Sequence, residues 1–119
     1  MNWRDLKVWQ RAHNLVLDVY KLSALFPAEE RYGLVSQLKR SVVSIAANIV
    51  EGQSRNTTKE YLSFLYKARG SLEETRYHLL LTKDLEFIDR DKYEILEAKC
   101  EEISKMLNSL IQSLKKLNP

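Results

Sequence analysis

Two lines of polar residues carry the side chains best suited to chemistry. One is Gln37, Ser41, Ser44, Asn48, Glu51 and Arg55, at heptad spacing; the other is Leu62, Tyr66, Arg69, Glu73, Arg76 and Leu80. Arginines repeated along one helical line suit phosphate, because a guanidinium presents its donors in a fixed fork. The same spacing suits a structural role, since Arg69 and Glu73 stand four apart and can pair. If the two lines face each other, Asn48 and Glu51 meet Arg69 or Arg76 in a partly buried network that sets helix register. The structural role is the expectation for Asn48, Glu51, Arg69 and Glu73.

Other chemistry is scarce. His13 and His78 are isolated, and Glu74 to His78 is single and four apart, unlike the paired Glu-x-x-His of di-iron bundles. No Gly-rich phosphate loop, nucleophile elbow or Cys/His zinc pattern occurs. Cys100 is alone and falls in an apolar heptad, so it reads as a small core residue and not a reactive thiol. The expectation is a non-enzyme without metal or cofactor.

The elements that position these residues follow from period and punctuation. Three Gly and two Pro in 119 residues leave little material for tight turns, and 45% hydrophobic residues suit one modest core. The spacing of Val8, Trp9, Ala12, Leu15, Val16, Val19 and Leu22 predicts a helix over Asp5 to Leu25, closed by Phe26 and Pro27. A second helix over Leu34 to Glu51 carries Leu38, Val42, Ile45 and Ile49, with Gly52 expected as its stop. Thr57 and Glu60 match a capping box opening a third helix that lasts until Lys83, with core stripe Tyr61, Leu65, Ala68, Leu72, Thr75 and Leu79. Asp89 is the expected N-cap of a fourth, whose seam reads Tyr93, Leu96, Cys100, Ile103, Leu107, Leu110, Leu114 and Leu117. Short connections make consecutive helices antiparallel, so an all-α, up-down-up-down four-helix bundle in one domain over residues 1–119 is expected.

The second helix is apolar around most of its circumference. Val43, Ala46, Ala47 and Val50 lie off the core stripe and are the expected contact with a second copy of the chain. Charge is +3 overall but uneven. Residues 1–83 hold 13 Lys/Arg against 8 Asp/Glu, whereas residues 84–119 hold 6 against 8. Arg4, Lys7, Arg11, Lys39, Arg40, Arg55, Lys59, Lys67 and Arg76 are therefore the candidate contacts to RNA or DNA. No run approaches the roughly 20 apolar residues of a membrane span, and MNWRDLKVWQR has no signal-peptide core, so a cytoplasmic protein without membrane contact is expected.

Particular stretches resemble the family named for open reading frames within intervening sequences of bacterial 23S rRNA genes. They are Asp5-Leu6-Lys7-Val8-Trp9, Glu30-Arg31-Tyr32-Gly33-Leu34, Gln37-Leu38, Ser44-Ile45, Asn48-Ile49 and Glu51-Gly52. Glu60, Phe64-Leu65, Ala68-Arg69-Gly70-Ser71-Leu72 and Glu74 continue the pattern, and the fourth helix matches by pattern more than identity. The family often has proline where this chain has Ala46, which implies a slightly straighter second helix. The resemblance implies an all-α bundle assembling as a ring, a homopentamer, similar to accessory variability proteins of diversity-generating retroelements. It further implies partners of two kinds, nucleic acid and a reverse transcriptase or other nucleic-acid enzyme. Asn48, Glu51, Gly52, Arg69 and Gly70 are the positions it carries over. The alternative function is a protein-interaction scaffold for a nucleic-acid enzyme, with no direct nucleic-acid binding.

Overall fold

Apolar residues three and four apart bury one stripe of each helix, and the computed structural model, described here for residues 2–117, gathers four such stripes into one core. A short 3-10 turn, Trp3–Asp5, precedes α1 (Lys7–Ser23), α2 (Leu34–Gln53), α3 (Thr58–Asp84) and α4 (Arg90–Leu117); a second turn, Ala28–Glu30, joins α1 to α2. No strand occurs among the described residues. Helix α1 packs on α2 and α4, and α3 packs on the same two, giving a particle of 46 × 24 × 21 Å. Among the described residues no helix is long and apolar enough to cross a membrane.

The first helix starts later than its pattern predicts. Asn2 caps the 3-10 turn by accepting from the Arg4 amide at 2.9 Å, and Leu6 is extended as it turns toward the core, so α1 restarts at Lys7. At its other end Ser23 donates to the Val19 carbonyl at 2.8 Å, and buried Phe26 packs on Phe87 at 5.7 Å.

Helix α2 does not stop at Gly52. No glycine has positive φ, and α2 continues through Gln53. Gly52 is buried, and a Cβ placed on it would lie 2.9 Å from the Phe64 Cβ and 3.2 Å from the Tyr61 carbonyl oxygen. Its missing side chain serves close helix contact and not chain reversal. Elsewhere along this pair Ser41 meets Thr75 and Ser44 meets Ser71.

Both predicted caps form. Thr57 accepts from the Glu60 amide at 3.1 Å, and Asp89 accepts from the Lys92 amide at 2.8 Å. Helix α3 ends in a Schellman arrangement, with the Phe87 amide donating to Thr82 and the Glu86 amide to Lys83, each at 2.9 Å. Glu86 occupies the left-handed position at φ 63°, where a Cβ is unfavourable and glycine is usual. Glu86→Gly is therefore expected to stabilise the chain by about 0.5–1 kcal/mol, the relieved strain exceeding the entropy that glycine adds to the unfolded chain. A rise in the urea midpoint at unchanged slope checks this; a fall would contradict it.

In α4 the core line drifts from the predicted seam. Leu96, Cys100, Ile103, Leu107 and Ile111 are buried, whereas Leu110 and Leu114 are half-buried and Leu117 is 76% exposed. A helix of 3.6 residues per turn cannot hold a strict heptad over 28 residues without supercoiling, so the inward position moves from 110 to 111.

Candidate nucleic-acid interface

The two polar lines do not face each other. On α2, Ser41 accepts from Thr75 at 2.9 Å, Ser44 shares a hydrogen bond with Ser71 at 2.8 Å, and Asn48 donates to the Ser44 carbonyl at 2.8 Å. Arg69 instead reaches Asn108 on α4 at 3.2 Å, and Arg76 reaches Glu97 and Glu101 on α4. Glu73 pairs with Arg76 at 3.1 Å and not with Arg69, and Glu51 is exposed, its carbonyl accepting from Ser54. The reason is angular. At about 100° per residue, Ser71 lies beside the α3 core stripe next to its member Thr75, and Arg69 and Arg76 lie on the opposite side. Hydroxyls thus meet across the middle of the α2–α3 seam, while Arg69 and Arg76 serve the α3–α4 seam.

Three predicted phosphate contacts are occupied by carboxylates. Arg11 pairs with Glu102 at 2.6 Å, and Arg40 pairs with Glu74, which also bonds His78 at 3.1 Å. Partial burial opposes the Glu74 charge, but hydrogen bonds from His78 and Arg40 and the charge of Arg40 hold its carboxyl below the usual range. Arg76 meets three carboxylates, and chiefly its hydrogen bond to Glu97 raises its affinity for the proton still further. Arg76 is a tie between α3 and α4, so its assignment to a phosphate surface is corrected by the acidic residues around it.

The remaining cations converge in a way that their order in the chain conceals. Arg55 lies 4.5 Å and Lys67 4.6 Å from the centre of the Phe64 ring. Arg69 and Lys115 lie 5.1 and 5.9 Å from that of Tyr66, and Lys7 shares a groove with Lys105. Arg4 covers Trp3 at 4.1 Å, and Lys59 is exposed on the first turn of α3. The stretches that these contacts join, residues 2–11, 45–70 and 102–117, hold ten Lys/Arg against four Asp/Glu. Only Arg11 of those ten reaches a carboxylate among the described residues. The other half holds nine against twelve, and six of its nine cations are ion-paired. Lys39, with its ammonium 4.6 Å from the Tyr20 ring centre, belongs to this second half, as does Arg40.

Sequence reasoning missed Lys105, Lys115 and Lys116 and gave Arg69 a different role. The available signal was the predicted topology itself, which returns the C-terminus of α4 to the start of α3. A patch of cations with aromatic rings between them attracts a polyanion electrostatically and offers faces on which bases stack.

The apolar stripe of α2 is narrower than its pattern predicts. Ala46 is 9% exposed and belongs to the core of its own chain, whereas Val43 is 40% exposed, Ala47 is exposed and Val50 is half-buried. Cys100 is buried, and burial pushes its thiol up to about 12, far from a reactive thiolate. His13 stacks on Trp9 at 5.0 Å, and the buried Nδ1 of His78 has no hydrogen-bond partner.

Comparison with known proteins agrees with this architecture. No curated protein matches the chain. A crystal structure of a protein of unknown function from the S23 ribosomal protein family of Bacteroides thetaiotaomicron VPI-5482 superposes with a TM-score of 0.81 at 28% identity, over 87% of this chain and 97% of that one. The sequence pattern of the 23S rRNA-intervening sequence proteins matches residues 4–109, which span all of α1 to α3 and most of α4. The chain therefore belongs to the 23S rRNA-intervening sequence protein family.

Proposed function

We propose that this protein is a non-enzymatic adaptor that binds RNA or DNA through its basic end and assembles with copies of itself into a ring, in the pentameric form that the family resemblance implies. The observation that carries this reading is the clustering of nine cations without carboxylate partners at one end, beside Phe64 and Tyr66. Such charges are free to displace counterions from phosphates, whereas Arg40 and Arg76 are not. The helices run up-down-up-down in this reading. The residue pairs support it: Arg11 with Glu102 and Asp18 with Lys99, Ser41 with Thr75 and Ser44 with Ser71, Arg69 with Asn108 and Arg76 with Glu97.

Titrating nuclease-treated protein into labelled RNA and DNA oligonucleotides over a salt series tests the function. Binding that weakens steeply with salt is expected. Salt-insensitive or absent binding would reject it and leave the second reading, a scaffold that holds a nucleic-acid enzyme such as a reverse transcriptase.

The exposed Val43 and Ala47 and the half-buried Val50 favour assembly under either reading, because an unpartnered apolar stripe on a helix gains by contact with another copy. Ala47→Glu is expected to dissociate the oligomer with its helicity retained, since the new charge would enter a desolvated contact. Light scattering with circular dichroism reads this, and an unchanged mass would refute the assigned interface.

A further inference from the structure

The half of the particle opposite the basic end has a surplus of carboxylates, and most of its cations are neutralised. Among the described residues only Lys21, Arg31 and Lys39 lack a carboxylate partner there, and two of these three border one cleft. That cleft, of about 450 Å³, lies between the end of α1, the Ala28–Glu30 turn and the first turns of α2. Its floor is apolar, formed by Phe26 and Val35, both 8% exposed, with Pro27 beside them. Ala24 and Ala28 are too small to fill it, and the Tyr20 ring, with the Lys39 ammonium 4.6 Å from its centre, forms one wall.

We infer that this cleft is a binding site for a small aromatic anion, a flat apolar body carrying one carboxylate, sulfonate or phosphate. The size lies within the range of ligand pockets, about 300–1,000 Å³, and the lining divides about evenly between apolar and polar surface. The body would lie on Phe26 and Val35 against Tyr20. The anionic group would take Arg31 and Lys39, which in a region rich in acidic residues remain without carboxylates of their own. The apolar groove of Leu22, Leu25, Ile95 and Leu96 has one such cation, Lys21, and not two, because its other charged neighbours Asp18 and Lys92 are already paired with Lys99 and Asp89.

The test is a fluorescence titration of the full chain with 8-anilinonaphthalene-1-sulfonate, a flat aromatic sulfonate. Saturable binding of one molecule per chain is expected. The double variant Arg31→Glu with Lys39→Glu is expected to weaken it about tenfold or more, since two charge-assisted contacts are lost. Ala24→Trp, which fills the cleft and leaves both charges in place, is expected to abolish it. Lys21→Glu, a single charge reversal outside the cleft, is expected to leave it unchanged; circular dichroism controls for folding in every variant. Absence of saturable binding, equal weakening by Lys21→Glu, or loss through Leu25→Ser while the double variant still binds would each overturn the assignment.

Discussion

Replacing Gly52 with leucine is expected to destabilise the chain by about 3 kcal/mol, the upper range for forcing extra atoms into a packed core. Even a single Cβ at this position would stand 2.9 Å from the Phe64 Cβ and 3.2 Å from the Tyr61 carbonyl oxygen. The carbonyl is backbone, and the Phe64 Cβ is bonded directly to its own main chain, so neither can swing aside. Relief requires α2 and α3 to separate, which would also stretch the Ser44–Ser71 and Ser41–Thr75 hydrogen bonds along the same seam. Gly52→Ala is expected to destabilise as well, although helix propensity alone would favour alanine by about 1 kcal/mol. Gly70 supplies the contrast. It is exposed on α3, a Cβ added there would meet nothing within 4 Å, and Gly70→Ala is expected to stabilise by about 0.5–1 kcal/mol. Urea unfolding at matched protein concentration distinguishes the two glycines. Equal gains at both would refute the close-contact role of Gly52.

The second large effect is expected at the basic end. Arg55→Glu, Lys59→Glu and Lys67→Glu together reverse three of the nine cations that lack carboxylate partners. If each neutralises one phosphate, the slope of log affinity against log salt should become shallower by about 2 on a single strand and about 3 on a duplex. Affinity near 0.1 M salt should fall on the order of a hundredfold, because repulsion is added to the lost attraction. Arg90→Glu is the control for a charge reversal elsewhere. It changes one charge on an exposed residue of the other half, whose helix pair with Glu94 contributes only about 0.3–0.5 kcal/mol, and should leave binding nearly unchanged. Fluorescence anisotropy over a salt series reads both quantities. A parallel loss in Arg90→Glu would mean that net charge, and not the assembled end, governs binding.

The helices themselves were legible because their signals are local. Thr57 with Glu60 and Asp89 with the Lys92 amide cap helices through residues three apart, and Leu38, Val42, Ile45 and Ile49 share one face by period alone. The boundaries at Leu6 and Gly52 were not local matters. Leu6 leaves helical geometry to reach the core, and the role of Gly52 depends on Tyr61 and Phe64 across the seam. Likewise Ile111 replaces Leu110 in the core only because rotation accumulates along a long helix.

By itself the sequence determined an all-α chain, four helices, most of the residues they bury and the apolar surplus on α2, since each follows from spacing within one helix. Tertiary structure decided the partners of the polar residues. It turned Arg69 and Arg76 toward α4, gave Glu74 to Arg40, brought Lys115 to the Tyr66 ring beside Arg69, and set Lys105 in a groove with Lys7. The physical reason is that a helix fixes which side chains share a face, whereas the charge that a face meets depends on the neighbouring helix and on which of its ends lies alongside.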